Sequence, residues 1–404
     1  MGRCSDDISL SMVIFERRPP LCFGVLICAA VVLRVFVAIY SIGSNDVGTW
    51  YRFASSIDQG GLWRLYGVDS EFNHPPLGAL LVWLIFKIHA ATGIAFPLLL
   101  RVPGILGDLI TLCIVGFSKR LPVETNRTTF LLLYGFAPVP ILLSGYHGNL
   151  DPLVVALSFL AVWVISLSER VFLGGVLLGL AASIKLPPLV LVPVVIATTA
   201  RRKWWLFVLG LALPLISVAI GIGWGRGPFL TNVLYYQPPL DMWGITAFLT
   251  AALNHWSPII PGFPHVIATA YSYPAKALIL SVPALVLVGL RSTDIIFGYL
   301  LAFGAFLIFA PGFGPQYLIY PLPALLILNL RWGVRYLTAG SCTLFALYSW
   351  FFVGYPFSSV HNSTAPVHIT FLYYLTWCAI TSGVGFTISD RLVNHHLYSS
   401  EEKS

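Results

Sequence analysis

VFLGGVLLGLAASIKLPPLVLVPVVIATTARRK, residues 171–203, decides how this chain is threaded. The apolar run from Val171 to Ala200 is longer than the roughly twenty residues one helix needs to cross a hydrocarbon core, and Lys185 and Pro187-Pro188 interrupt it. Tandem prolines remove amide donors and clash with the preceding turn, so the helical ladder breaks there. Arg170 precedes the run and Arg201-Arg202-Lys203 closes it. Basic residues collect on the cytoplasmic side of a membrane protein. One long helix would carry the second cluster to the opposite face, whereas two short helices turning at Lys185 return it to the side of Arg170. The stretch therefore predicts a hairpin within a polytopic membrane protein.

Composition agrees. Of 404 residues 57% are hydrophobic and only 10% are charged, which excludes an ordinary soluble domain. The first apolar run, Leu21 to Ile42, is too long for a signal-peptide core and reads as an anchor and first span. The net charge of +7 comes from Lys and Arg at the ends of apolar segments, so it reports topology and no nucleic-acid partner. Six cysteines (Cys4, Cys22, Cys28, Cys113, Cys342, Cys378) lie mostly within apolar runs without CxxC spacing, supporting neither a disulfide framework nor a zinc site.

Arg17 and Arg18 set the N-terminus inside, and Lys119/Arg120/Arg127, Arg170, Arg201/Arg202/Lys203, Arg291, Arg331/Arg335 and Arg391 are expected to share that side. A full span over Leu77–Leu100 would reverse Lys119 and Arg120, so that segment is expected as a helix in the outer interface. The result is an all-α bundle of about twelve spans. Its parts are a cytoplasmic tail (1–20), an N-terminal catalytic module (21–222) with an exoplasmic segment (43–97), an exoplasmic loop (223–273), a C-terminal transmembrane module (274–390) and a second cytoplasmic tail (391–404).

SNDVGTWYRFASSIDQGGLWRLYGVDSEFNHPPL, residues 44–77, is polar, aromatic and long in a chain of short connections. Trp50, Phe53, Ala54 and Ile57 recur at helical spacing, describing an interfacial helix stopped by Gly60-Gly61. Asp46 is either its N-cap or a general base at the membrane surface. His74-Pro75-Pro76-Leu77 opens a second interfacial helix, beside which Asn73 and His74 can bind sugar or phosphate, or His74 can be structural. Arg101 begins the next span, where it meets a lipid phosphate or snorkels to headgroups. The loop Trp224–Tyr273, with Tyr235, Tyr236, Trp243, His255 and Trp256, suits sugar stacking or an aromatic belt.

The order of these features resembles the GT-C superfamily of integral membrane glycosyltransferases, which includes aminoarabinose transferases, protein O-mannosyltransferases and dolichol-linked glucosyl- and mannosyltransferases. The resemblance rests on an acid after the first span, a bulky aromatic interfacial helix, NHPPL opening the next helix, and Arg101-Val102-Pro103 opening a span. HGNLDPL (His147 to Leu153) and GLAASIKLPPLVLVP (Gly179 to Pro193) extend it, and FGPQYLIYPLPAL (Phe313 to Leu325) carries it beyond residue 200.

That resemblance implies a base or acceptor-orienting role for Asp46. Asn45-Asp46 stands where some members have two acids, which leaves a divalent metal unsupported, and no other cofactor is implied. Lys185 costs roughly 2.5–3.5 kcal/mol in hydrocarbon unless compensated, either by a donor phosphate or by pairing with Asp151 or helix carbonyls. His147, Asn149 and Asp151 can line the same cavity and bind acceptor or sugar, Asp151 being equally a helix start. Gln316 and Tyr317 sit in the outer turn where relatives often have a basic residue on the donor phosphate; they are expected to hydrogen-bond that phosphate, with the charge left to Lys185 and Arg101.

The implied activity is inverting transfer of a hexose, mannose or glucose, from a polyprenyl-phosphate donor to a glycolipid, glycan or protein acceptor. A nucleotide-sugar donor is disfavoured because no GxGxxG turn follows a strand. A transporter or lipid flippase is the alternative, although the long outer segment and the hairpin occur only in the N-terminal half. A bacterial plasma membrane is favoured, with the ER as the alternative; Asn362-Ser363-Thr364 would be a glycosylation site only there.

Overall fold

The computed structural model describes residues 21–118, 126–236, 243–253, 259–260, 262–353, 360–361 and 367–401. Their regular structure is helical apart from one two-residue pairing of Phe352–Val353 with Val360–His361. In order the helices are α1 (Leu21–Ile39), α2 (Asn45–Gly60), α3 (Leu62–Val68), α4 (Pro76–Thr92), α5 (Phe96–Phe117), α6 (Arg127–Phe136) and the short α7 (Pro138–Ile141), which runs into a π-helical turn, Leu142–His147. There follow α8 (Asp151–Ser168), α9 (Val171–Ile184), a 3-10 turn at Pro187–Leu191, α10 (Val192–Thr198), α11 (Trp204–Phe229), α12 (Ile245–Leu253) and α13 (Phe263–Gly289). The last are α14 (Ile295–Phe309), a 3-10 turn at Pro315–Ile319, α15 (Leu322–Leu328), α16 (Leu330–Phe351) and α17 (Val367–Glu401).

Among the described residues six stretches are long and apolar enough to cross a membrane: α1, α5, α8, Arg201–Leu234, α13 and Thr370–Val393. A seventh is the pair Arg127–Phe136 and Pro138–His147, bent by 49°. This is the architecture of a multi-pass integral membrane protein. Five further apolar helical stretches are shorter, of 10–17 residues.

The deciding stretch breaks at Lys185-Leu186, as its prolines require. The chain comes back to the end it left: α9 and α11 run side by side in the same direction, with Phe172 against Gly210 and Ser183 bonded to Pro214 O, and Lys203 pairs with Glu169 beside Arg170. The two arms of the hairpin do not pack on each other. Instead α9 lies against α8 and α11, while α10 lies against α13 and α14. Lys185, at the turn between the arms, is buried with its ammonium against Asp151.

Of the basic residues expected on the cytoplasmic side, the other described ones gather at that same end, whereas Arg52, Lys87 and Lys276 belong to the opposite end. Val194 of α10 meets Gly298 beside Leu287, near Arg291, and Arg391 pairs with Asp294 at 2.7 Å. Trp332, flanked by Arg331 and Arg335, stacks on Phe386 one turn from Arg391. Arg127 opens α6, whose Leu131 packs at Gly116 near the end of α5. Arg17, Arg18, Lys119 and Arg120 lie outside the described residues.

At the opposite end α2 and α4 lie across the bundle. Gly78, at the start of α4, touches Ile184 O, while Phe86 and His89 near its finish meet Phe96 of α5. Both neighbours belong to one end, so α4 does not traverse. It is shorter than the expected Leu77–Leu100 helix, because Gly93 (φ 72°) ends it and α5 begins at Phe96. Asp58 of α2 fastens the pair by accepting from Trp83 Nε1 and Lys87 Nζ, both at 3.0 Å.

The expected 223–273 loop is largely helical, holding the end of α11, all of α12 and the start of α13. Its His255 and Trp256, and Asn362-Ser363-Thr364, lie outside the described residues.

Candidate functional site

A cavity of about 480 Å³ opens at the end opposite the basic groups, a size ordinary for a small-molecule site. α2 supplies Asp46, Trp50 and Phe53 to its wall; the strand of chain before α4 supplies Glu71, Asn73 and His74. Asn149, Lys185, Gln316, Tyr317, Tyr236 and Lys276 complete its polar lining.

Local sequence explains the placement of Asp46. Ser44, not Asp46, is the N-cap of α2: its Oγ accepts from the Asp46 amide at 3.2 Å and donates to His147 O at 2.6 Å. Asp46 thus occupies the first turn with its carboxylate free to point elsewhere. The π-helical turn brings His147 and Asn149 to meet it, as such turns often re-aim side chains at sites. Gly148 between them is left-handed (φ 79°), and a Cβ there would lie 2.5 Å from Val47. Asn149 Oδ1 accepts from the Leu150 amide at 2.6 Å, which turns its Nδ2 to Asp46 Oδ2 at 2.9 Å. His147 Nε2 lies 3.2 Å from the same oxygen.

About 30% of the Asp46 side-chain surface stays open while His147 is closed off behind it. Burial is the largest single influence on Asp46 and opposes its charge, but the His147 ring, the Lys185 ammonium and the Asn149 amide together outweigh it and hold the carboxyl below its ordinary value. His74, pressed on Trp50 at 4.5 Å between ring centroids, is pushed well below the usual imidazole range by burial and by Lys185, so it is a neutral ring. Its main chain is pinned by Tyr66 Oη, which donates to His74 O at 2.8 Å.

Three of the sequence-predicted residues stand apart from the cavity. Asp151 is fully buried, accepting from Lys185 Nζ at 2.7 and 3.0 Å and from Tyr320 Oη at 2.8 Å; it starts α8 and neutralises Lys185 instead of meeting a sugar. Arg101, also fully buried, donates to Ala38 O, Ser41 O and Tyr146 O at 3.0–3.1 Å. It caps carbonyls that the end of α1 leaves unpaired and neither snorkels nor faces the cavity. Gly43 (φ 98°) admits it, since a Cβ there would fall 2.2 Å from Nη2. His147 sits behind Asp46, off the wall. Asp46, Asn73, His74, Asn149, Lys185, Gln316 and Tyr317 do line one space.

Lys185 therefore was not an uncompensated ammonium: its charge is matched by Asp151, and its Nζ lies 4.8 Å over the Tyr317 ring. Lys276 was missed. It interrupts the apolar α13, is exposed on the cavity wall, and pairs with no carboxylate among the described residues. A lone lysine inside a predicted span was the available signal. Tyr348 was missed too, having no local motif; its Oη lies 2.9 Å from His147 Nδ1. No group of three or more His, Cys, Asp or Glu able to hold a metal occurs among the described residues.

No family model matches this chain, and neither a curated protein nor a solved structure is significantly similar to it.

Proposed function

We propose that this protein is a glycosyltransferase that moves a hexose, mannose or glucose, from a polyprenyl-phosphate donor to a glycolipid, glycan or protein hydroxyl on the non-cytoplasmic side of a membrane. The observation that carries this reading is that Asp46 and the two lysines Lys185 and Lys276 line one cavity, at the end away from the described basic clusters. Positive charge marks the cytoplasmic end, so the cavity faces outward. Counting α16 and the four shorter apolar stretches other than α4 as passes, beside the six long spans and the bent pair, gives about twelve spans.

In this reading Asp46 takes the proton of the acceptor hydroxyl, whose oxygen attacks the anomeric carbon from the face opposite the phosphate. The bond from that carbon to the phosphate oxygen breaks, and the electron pair leaves on the lipid phosphate. Lys276 supplies the unmatched positive charge for it; Lys185, paired with Asp151, adds a hydrogen-bond donor more than net charge. The cavity walls add Trp50 and His74 as a flat apolar platform against which a sugar ring can lie. A protonating acid is not needed, because phosphate is already a good leaving group.

The test is turnover of radiolabelled polyprenyl-phosphate mannose or glucose by purified protein in lipid. Wild-type transfer that Asp46→Asn abolishes with the fold intact supports the reading. Unchanged turnover in Asp46→Asn, or translocation of the lipid without transfer, rejects it.

A further inference from the structure

We propose that Tyr348 and His147 are positioning residues for Asp46: a file of polar contacts running from α16 through the π-helical turn to α2, in which Tyr348 fixes the His147 tautomer and His147 Nε2 holds against one carboxylate oxygen. The catalytic part of this inference rests on the glycosyltransferase reading of the cavity.

The geometry has three links. Tyr348 Oη lies 2.9 Å from His147 Nδ1, and the two rings stack with centroids 5.8 Å apart. His147 is 4% exposed and absent from the cavity wall, so solvent does not choose its tautomer. With the phenol donating to Nδ1, the ring presents an N–H on Nε2, which is the atom 3.2 Å from Asp46 Oδ2. Asn149 Nδ2 donates to that same Oδ2 at 2.9 Å. Both contacts fall on one oxygen, and Oδ1 keeps its lone pairs for the cavity.

This asymmetry is what a base needs. A carboxylate held at both oxygens has no basic site to offer; one held at neither rotates freely. Here the proton of the acceptor goes to Oδ1, the acceptor oxygen bonds the anomeric carbon as its bond to the phosphate breaks, and the His147 N–H stays in place throughout. Without a donor on Nδ1 the buried imidazole gains access to the Nδ1–H tautomer, which turns a lone pair against Oδ2. The file also reaches across the molecule, joining residues 201 positions apart, so the packing of α16 on the π-helical turn bears on the aim of the base.

Glu71, His74, Lys185, Tyr236, Lys276 and Tyr317 are the other titratable groups facing the cavity, and none is altered by the test that follows. Tyr348→Phe, His147→Gln and His147→Ala are made in protein labelled with ¹³C at aspartate carboxyls, with the Asp46 resonance identified by its loss in Asp46→Asn. Carboxyl titration and steady-state turnover are measured on each. Tyr348→Phe should lower kcat by about tenfold to a hundredfold with donor KM unchanged, and should move the Asp46 midpoint to higher pH. His147→Gln, which keeps an N–H donor, should lie between wild type and His147→Ala in both readouts.

Equal kcat and equal midpoints in Tyr348→Phe and wild type would overturn the proposal, as would His147→Gln no better than His147→Ala. If wild type transfers no sugar but the midpoints still move in this order, the file is real and the glycosyltransferase reading is what fails. If transfer is robust and neither readout responds, the enzyme stands and the file falls.

Discussion

Lysine inside an apolar helix must be compensated, and a single chain of letters does not say whether the compensation is a ligand or a carboxylate. At Lys185 it is Asp151, at 2.7 Å and closed from solvent, with Tyr320 Oη completing the carboxylate's bonds. The pair is structural in its energetics: removing one partner of a buried pair strands the other and costs about 3–5 kcal/mol. Asp151→Asn should therefore lower the unfolding temperature of the detergent-solubilised protein sharply, measured by intrinsic fluorescence, whether or not substrate is present. Lys276 has the opposite profile, being exposed at the cavity and without a carboxylate partner among the described residues. Lys276→Met should leave the unfolding temperature unchanged or raised, while donor KM rises about tenfold, a loss of about 1.4 kcal/mol of binding. A fall in stability like that of Asp151→Asn, with donor KM unmoved, would show that Lys276 serves the fold and not the phosphate. Asp46, held below the ordinary carboxylate value, should remain ionised across the neutral range. Its contribution to stability is present above the unfolded carboxylate value and is lost only as pH falls through the lower folded one.

Between elements, close approach is bought with glycine. The α9–α11 crossing places Phe207 O 2.4 Å from where a Gly175 Cβ would sit, and Phe172 O 2.2 Å from a Cβ at Gly210. Helices in lipid associate by such small-residue contacts, since apolar surface alone gives no preference for protein over lipid. Gly210→Leu should force the two helices apart, costing about 1–3 kcal/mol, and should also disturb Lys185 at the end of α9; Gly210→Ala should show the same effects in smaller measure. An unfolding temperature equal to wild type in Gly210→Leu would mean the crossing is loose. The buried Arg34 works at this scale as well. It pairs with Asp108 at 2.6 Å and donates to Tyr134 O and Gly135 O, carbonyls freed where α6 bends into α7. Elements of this kind were legible only in part. The break at Lys185-Leu186, the α2 helix ended by Gly61 and the start of α4 at Pro76 follow from proline, glycine and helical spacing, which act over a few residues. The carbonyl-capping tasks of Arg34 and Arg101, and the Tyr348–His147 contact, join distant segments, and no periodicity encodes them. The splay of the hairpin arms was hidden for the same reason, because it is set by α13 and α14 receiving α10.

For the whole molecule the testable quantity is sidedness. Positive residues were placed on one side by a rule about translocation, and the fold brings Arg170, Arg201 to Lys203, Arg291 and Arg391 together by contacts that have no knowledge of that rule. Charge bias and packing agree on that end, which the proposed threading takes as the cytoplasmic one. On the proposed function the cavity, with Asp46, Asn73 and Gln316 on its wall, opens to the other compartment and receives the head group of the lipid-phosphate donor there. Cysteine labelling decides this in sealed, oriented vesicles, in a background with the six native cysteines replaced by serine. Glu71→Cys at the cavity mouth and Arg202→Cys beside the hairpin's return should react with a membrane-impermeant maleimide from opposite sides. Addition of polyprenyl-phosphate sugar should slow labelling at Glu71→Cys alone, because only that position shares the cavity with the donor. Labelling of both positions from one side would dismantle the threading and the outward-facing site with it. Opposite labelling without protection by the lipid would keep the threading and remove the donor from the cavity.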